Sequence, residues 1–439
     1  MTRLVFHTNV ESIPASDCIG TKHVFLYGSR PPREGTASVG GQLRDRIKRL
    51  GAPLGTRALD FLSIALAVTA ADTFVSREEC SGDGWARDFT LRIPLAEPDP
   101  WRGVSGELER ALAFLSGDAW NLEFTNGGLP PPGKDEIRAV RNRLEIGSAD
   151  SVCLFSGGLD SMIGARQLIE EGRTPILVSH SYRGDRKYQQ SVALGLGGNL
   201  PRFEANANPV FKGQNRNDTT MRTRSIGFLA YGVVASNALH VLRGESNSIK
   251  LYVPENGFIA LNAPLTRRRI GSHSTRTTHP HFLGLLQTVL TKVGIPTTVE
   301  NRYRHMTKGQ MLSDLSLTAP LRQTALRTVS CGKWKRAHKQ CGHCVPCLIR
   351  RAAFHAAGIT DTTEYQFPNL WDVWVRNDLR DDLMAVLIAV SRSAAKIKQR
   401  AASSGPLPLD EKEREGWLKV HQSGLQELRS YLSAQGFEL

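Results

Sequence analysis

The sequence predicts an α/β protein built on a parallel sheet, with a four-cysteine knuckle late in the chain, an α+β region before the sheet and helices after it. Three observations predict it. The nearly all-apolar run Ser151 to Phe155 has the character of a buried parallel strand, and it leads through a glycine turn into apolar residues at helical spacing. Cys331, Cys341, Cys344 and Cys347 cluster in one short stretch. After residue 361 the pattern turns helical. With 439 residues, two or three domains are expected. We place them at 1–145 (an accessory or interaction domain), 146–360 (the sheet domain, with the knuckle at 331–347) and 361–439 (a helical cap).

In the first region, Leu4 to Phe6, His23 to Tyr27, Arg87 to Pro94 and Trp120 to Phe124 read as strands, and Thr56 to Phe74 and Gly106 to Leu115 as helices. No catalytic constellation stands out there, so a role in docking or presenting a substrate is expected. The stretch Gly128-Leu129-Pro130-Pro131-Pro132-Gly133-Lys134-Asp135 spells most of a common nucleotide loop, but it ends in Asp where a metal-binding hydroxyl belongs. Its three prolines also lack the amides that would cradle phosphate, so it reads as a linker.

The central unit begins at Ser151. Met162, Ile163, Ala165, Leu168 and Ile169 mark a helix that Gly172 is placed to end, and Pro175 to Val178 is the next strand. This βαβ unit sets Phe155-Ser156-Gly157-Gly158-Leu159-Asp160-Ser161 at a strand end and a helix N-terminus, where glycine amides can approach an anion. A polar turn without a ligand is the alternative. In the knuckle, C-x₂-C spacing brings thiolates to one metal, and tetrahedral zinc is the economical reading. An iron–sulfur cluster is the rival, and His338 or His343 could replace a thiol. A disulfide framework does not suit a large chain whose other cysteines, Cys18, Cys80 and Cys153, are scattered. Cys153, inside a strand, reads as core.

The loop Ser156-Gly157-Gly158-Leu159-Asp160-Ser161 resembles the pyrophosphate loop of N-type ATP pyrophosphatases, which have a Rossmann-like nucleotide hydrolase fold. That resemblance implies that Phe155 to Ser161 bind ATP, with Ser156, Gly157, Gly158 and Ser161 on phosphate and Asp160 orienting the loop or helping to hold Mg²⁺. Together with the knuckle, C-x₉-C-G-H-C-V-P-C here, it narrows to the 7-cyano-7-deazaguanine synthases and their QueC-like relatives, in which such an element binds structural zinc. Met221-Arg222-Thr223-Arg224-Ser225-Ile226-Gly227-Phe228-Leu229 looks like that family's arginine-led helix, with Ser225 where asparagine is usual. Arg222 and Arg224 are then expected on phosphate or carboxylate, because a guanidinium presents a bidentate fork. A solvated basic helix start is the plainer reading.

The middle of the chain departs from the synthases. Val253 to Ile259 and Gly271 to Pro280 are loop-like and rich in groups that read bases. Glu255 is suited to a guanine-like N1–H and amino edge, Asn256, Thr277 and His279 to other polar contacts, and Arg276 to a carboxylate or α-phosphate. Both stretches also suit surface loops with capping hydroxyls. The resemblance implies that ATP adenylates a 7-deazaguanine carboxylate, Asp160, Ser161 and Arg224 assisting, with loss of pyrophosphate and then of AMP to an amine, giving an amide or nitrile. The N-terminal extension is similar to that of QueC-like proteins of bacterial antiphage systems (the QatC type), whose partners come from the same defence operon. Two alternatives stay open: a ligase that conjugates the deazaguanine to a partner protein's amine, and a non-catalytic nucleotide sensor.

After residue 361, Asn377 to Ala395 and Asp410 to Gln435 read as helices around a break at Ala401 to Leu409, with Asp410 and the following glutamates as a helix start. Fifty-six basic against 42 acidic side chains give a net charge of +14, in runs such as Arg267-Arg268-Arg269 and Lys333 to Lys339. That favours anionic ligands, nucleotides first. Nucleic acid has no recognised binding module here to support it. No run of 18 apolar residues or secretory core appears, so no membrane association and a cytoplasmic location are expected. From the loop reading, Ser156→Ala and Asp160→Ala are expected to stop pyrophosphate release while leaving folding intact.

Overall fold

The computed structural model describes residues 2–15, 20–81, 85–182, 184–213, 218, 222–244, 246–266, 276–315, 318–334, 338–392 and 396–439. Cys18, Met221, Arg267 to Arg269, Gly271 to Thr275, residues 335–337 of the second basic run and Ala395 lie outside them. Two mainly parallel sheets organise the chain. The first has the order β5-β4-β1-β2-β3-β9, from β1 (Thr2–His7), β2 (Thr21–Gly28), β3 (Ala37–Gly40), β4 (Asp88–Leu95), β5 (Ala119–Asn126) and β9 (Val210–Phe211). The second has the order β11-β10-β6-β7-β8, from β6 (Ser151–Leu154), β7 (Pro175–His180), β8 (Arg202–Ala205), β10 (Ile249–Tyr252) and β11 (Thr297–Glu300).

All ladders of the second sheet are parallel, so the expected parallel α/β sheet is present. In the first sheet only β9 runs antiparallel, pairing Ala37 with Phe211. The N-terminal half is therefore itself a mostly parallel α/β layer, more regular than the α+β arrangement read from sequence. Its four expected strands and two long helices are all there; β3, short and made of Ala-Ser-Val-Gly, carries too little β-propensity to be read.

The helix Thr56–Phe74 covers the first sheet and the helix Arg224–Arg243 covers the second, and the two pack on each other. Each is apolar and buried over most of its length, as a helix flanked on both sides must be. Arg224–Arg243 is long and apolar enough to cross a membrane, but it lies buried between these layers. One hydrophobic core accordingly runs from β1 through both helices to β10. Asn237 of the second helix accepts a hydrogen bond from Gly55 N–H at 2.7 Å, capping the first.

A buried ionic network joins the same layers. Arg77 makes two hydrogen bonds to Asp118 (2.6 and 2.8 Å), and Arg87 donates to Asp118 and to Asp72. Asp72 Oδ2 also accepts from Thr223 N–H (2.9 Å) and its hydroxyl (2.8 Å), at the start of the second helix. The stretch 127–133 is irregular, and Gly133 N–H is taken by Glu136 at 2.9 Å, which suits a linker rather than a phosphate cradle.

The C-terminal helices Asp381–Ser391 and Glu411–Ala434 pack with Val345–Ala356 into a further apolar cluster. Asp410 caps the long helix as expected, accepting from Glu413 N–H at 2.8 Å. That helix then crosses behind the second sheet's loops, which matters for the site.

Candidate functional site

The site is built at the C-terminal end of β6, the middle strand of the second sheet. Phe155 extends the strand by donating to Val178 C=O (2.6 Å), and its own carbonyl accepts from Ser179 Oγ (2.8 Å). The chain then turns at Gly157, whose φ of +78° suits glycine, and where an added Cβ would meet Tyr188 at 2.7 Å. Ser161 Oγ reaches back to Gly158 C=O (3.0 Å) and lies 3.3 Å from Ser156 Oγ. Ser156 is exposed, whereas Asp160 and Ser161 are buried at the start of the helix Leu159–Glu170. First-turn amides of a helix have no acceptor within it, so this turn offers donors and hydroxyls together.

Asp160 points inward. Its Oδ1 lies 2.8 Å from Lys308 Nζ, and its Oδ2 accepts from the Asn256 side chain (2.7 Å) and backbone (3.2 Å). Asp160 and Lys308 are each 5% exposed. Burial pushes the Asp160 pKa up, but the Lys308 ammonium and these hydrogen bonds hold it below the usual range. Gly164 permits the arrangement, since a Cβ there would sit 2.5 Å from Pro254 and push the Glu255–Asn256 segment away. The pairing corrects one expectation: Asp160→Ala would strand a buried ammonium, so it cannot leave folding untouched.

Glu255 is the third member. Burial and the neighbouring Asp160 carboxylate hold its carboxyl well above the ordinary range. The unfolded chain gives up this proton at lower pH than the folded chain does, so Glu255 makes stability fall as pH climbs from about 4.3 towards the raised value. Glu255→Gln should remove that dependence: its melting midpoint, measured against the parent across pH, should gain as pH rises.

Lys308 was not legible as a site residue. The only signal was its place after Thr307 in a Thr-x-x-Gln capping box, which the structure contains, with Thr307 Oγ1 accepting from Gln310 N–H (3.1 Å). Glu427 of the Glu411–Ala434 helix was missed as well. It accepts from the Thr307 hydroxyl and from Gly309 N–H (3.3 Å), on either side of Lys308. Phe258, two residues past Asn256, stacks on His421 of the same helix. The long C-terminal helix thus backs both segments that grip Asp160.

The four cysteines come together beside the loop. Val329 N–H donates to Gly157 C=O at 3.2 Å, two residues before Cys331, and Trp334 packs edge-on to Tyr188. All four sulfurs lie within 4.8 Å of one another, with Cys341–Cys347 and Cys344–Cys331 at 3.9 Å. Tetrahedral zinc with bonds of about 2.3 Å sets sulfurs about 3.8 Å apart, so the donor set fits zinc. Lys333 and Cys341 N–H groups point at Cys331 Sγ and Cys344 N–H at Cys341 Sγ, all at 3.3 Å, as thiolates require. His343 is not part of the sulfur group; its ring packs edge-on to Phe367. Cys344→Ser is expected to lose the metal and on the order of several kcal/mol of stability, checked by metal content and chemical unfolding. Cys153, fully buried and with its thiol pushed up to about 12 by burial, is core as expected.

The remaining candidates divide. Arg224 is exposed and lies over the Tyr182 ring (5.0 Å), past the end of β7. Arg222 instead donates to Ser116 C=O (3.1 Å) and stacks on Trp85 (4.0 Å), facing the N-terminal half. Arg276 donates to Phe114 C=O (2.8 Å) and lies over its ring, and His279 is fully buried against the same phenylalanine while capping the helix Pro280–Lys292. Thr277 lies in the turn between them. Glu255 and Asn256 are therefore gathered at Asp160, and Arg276 and His279 at Phe114.

No family model matches the chain, and no solved structure matches it. A stretch of 69 residues, 16% of the chain, is 41% identical to the 7-cyano-7-deazaguanine synthases of Brucella ovis, Brucella canis and Brucella melitensis. The chain spans 28% of the length of these relatives.

Proposed function

We propose that this protein is a QueC-like enzyme that activates the carboxylate of a 7-deazaguanine with ATP. The observation that carries the reading is the Ser-Gly-Gly-Leu-Asp-Ser turn at the end of the middle strand of a parallel sheet, with the four-cysteine cluster hydrogen-bonded against it through Val329. The partial likeness to the synthases supports the substrate class. In this reading Ser156, Ser161 and the first-turn amides hold the β,γ-phosphates, Asp160 fastens the loop to Lys308 and Asn256, and Arg224 faces the phosphates from the side. A carboxylate oxygen attacks the α-phosphorus and pyrophosphate departs. An amine nitrogen then attacks the acyl carbon, loses a proton, and AMP leaves with the electron pair. Asp160 and Glu255 are committed to Lys308, Asn256 and each other, so Mg²⁺ would arrive on the triphosphate and neutralise its charge there. Positioning and charge stabilisation are the protein's share.

The N-terminal layer gives the second reading weight. It shares a core with the sheet that bears the site. A protein amine as acceptor, supplied by a partner in antiphage defence, makes use of that added surface; ammonia needs none of it. The test is mass spectrometry of the protein with ATP, Mg²⁺ and 7-carboxy-7-deazaguanine, with ammonia or with proteins of the same operon. Nitrile or amide marks a synthase, and a deazaguanine mass on a partner marks a ligase. Ser156→Ala should cut pyrophosphate release at least about 100-fold with its melting midpoint unchanged, in line with loss of a preorganised donor. Release at the parent rate, or none from the parent with this acid, overturns the proposal.

A further inference from the structure

Away from the glycine turn, four arginines converge on one small cavity between the two halves. Arg46 and Arg49 come from the end of the helix Leu43–Lys48, Arg186 from the helix Asp185–Gly195, and Arg202 from β8 at the edge of the second sheet. Leu144, Phe203 and Glu204 complete the wall. Among the described residues Glu204 is the only carboxylate lining it, against four guanidinium groups. It is already shared, 2.9 Å from Arg186 Nε and 2.9 Å from Arg202 Nη2.

Arg202 is the telling member. Its side chain is 18% exposed, and its Nε and Nη2 are buried without a hydrogen-bond partner, because the close approach to Glu204 is off the donor angle. Burial lowers its pKa, Glu204 opposes that, and Arg186 adds to it. Arg49 Nε is held by Asn142 C=O at 3.1 Å, while Arg46 makes no ion pair among the described residues. Folded chains rarely leave buried guanidinium donors unmet beside like charges unless an anion completes them.

We propose that this cavity is a binding site for a phosphate group. At about 100 Å³ the cavity is smaller than the roughly 300–1,000 Å³ pockets that enclose drug-sized ligands, and it suits a single tetrahedral oxyanion. A phosphate presents the oxygens that guanidinium forks grip in pairs, and a dianion offsets the surplus positive charge better than a carboxylate does. The group is either free phosphate or the terminal phosphate of a larger ligand whose remainder stays outside. The site is independent of the adenylation reading.

The test is calorimetric titration of the full chain with inorganic phosphate, uridine 5′-monophosphate and uridine, at fixed ionic strength. Saturable phosphate binding is expected, weakened about tenfold by Arg46→Ala and by Arg202→Lys. Arg46→Ala removes no described ion pair, so it reports even where Arg202→Lys perturbs folding. Binding of the monophosphate but not of uridine assigns the terminal phosphate of a larger ligand, and binding of inorganic phosphate alone assigns the free ion. Absence of saturable binding, or binding indifferent to Arg46→Ala, overturns the site.

Discussion

Replacing Asp118 by alanine is expected to destabilise the protein by about 3–5 kcal/mol, since it leaves buried guanidinium groups without their counter-charge. Asp118 accepts from Arg77 through both oxygens and from Arg87 through its side chain and backbone, and it is 2% exposed. Arg87 is 1% exposed and cannot turn to water. The damage should extend beyond the N-terminal half, because Asp72, which Arg87 also grips, holds the start of the helix that lies under the second sheet. A single cooperative urea transition, shifted as a whole to lower denaturant, is the expected readout. Two separated transitions would show that the halves unfold independently and that the shared core does not couple them.

Lys308→Met is expected to have an effect of similar size at neutral pH, about 3–5 kcal/mol, and to abolish pyrophosphate release. Without the ammonium, Asp160 must either stay charged in a buried pocket beside Glu255 or take up a proton. The sign follows. Asp160 in the parent contributes stability above the ordinary aspartate range, lost as pH falls through its lowered folded value; in the variant that contribution is gone, so the deficit should shrink on acidification. Chemical unfolding at neutral and mildly acid pH measures this. Adding Asp160→Asn to Lys308→Met should restore much of the stability and none of the activity, because the pair then holds no unmatched charge. A double variant as unstable as the single one would show that Lys308 acts by packing and not by charge.

What could be read from sequence was set by local signals. Ser151 to Val178 declared itself because strand, turn and helix each carry their own period, and the cysteines because metal ligation fixes their spacing. The Thr56–Phe74 helix was legible from its dense apolar run between Phe61 and Ala71. Lys308 and Glu427 were not, because their roles arise where segments far apart in sequence meet at Asp160 and Thr307. Arg222 shows the converse: its place beside an arginine-led helix suggested a ligand contact, while Trp85 and Ser116, more than a hundred positions earlier, determine where it points. The parallel order of the N-terminal strands was hidden for the same reason, since a strand's sequence does not state its neighbour.

The crossing of the Glu411–Ala434 helix behind Lys308 also bears on when during synthesis the site becomes complete. The lysine leaves the ribosome about a hundred residues before the helix that braces it, and the glycine turn and its helix earlier still. Until that helix is made, the Thr307–Gly309 turn lacks the Glu427 carboxylate and Phe258 lacks its stacking partner. A nascent chain would therefore carry the recognisable loop without a finished grip on Asp160, and the proposed nucleotide turnover would await the folding of the C-terminal helices.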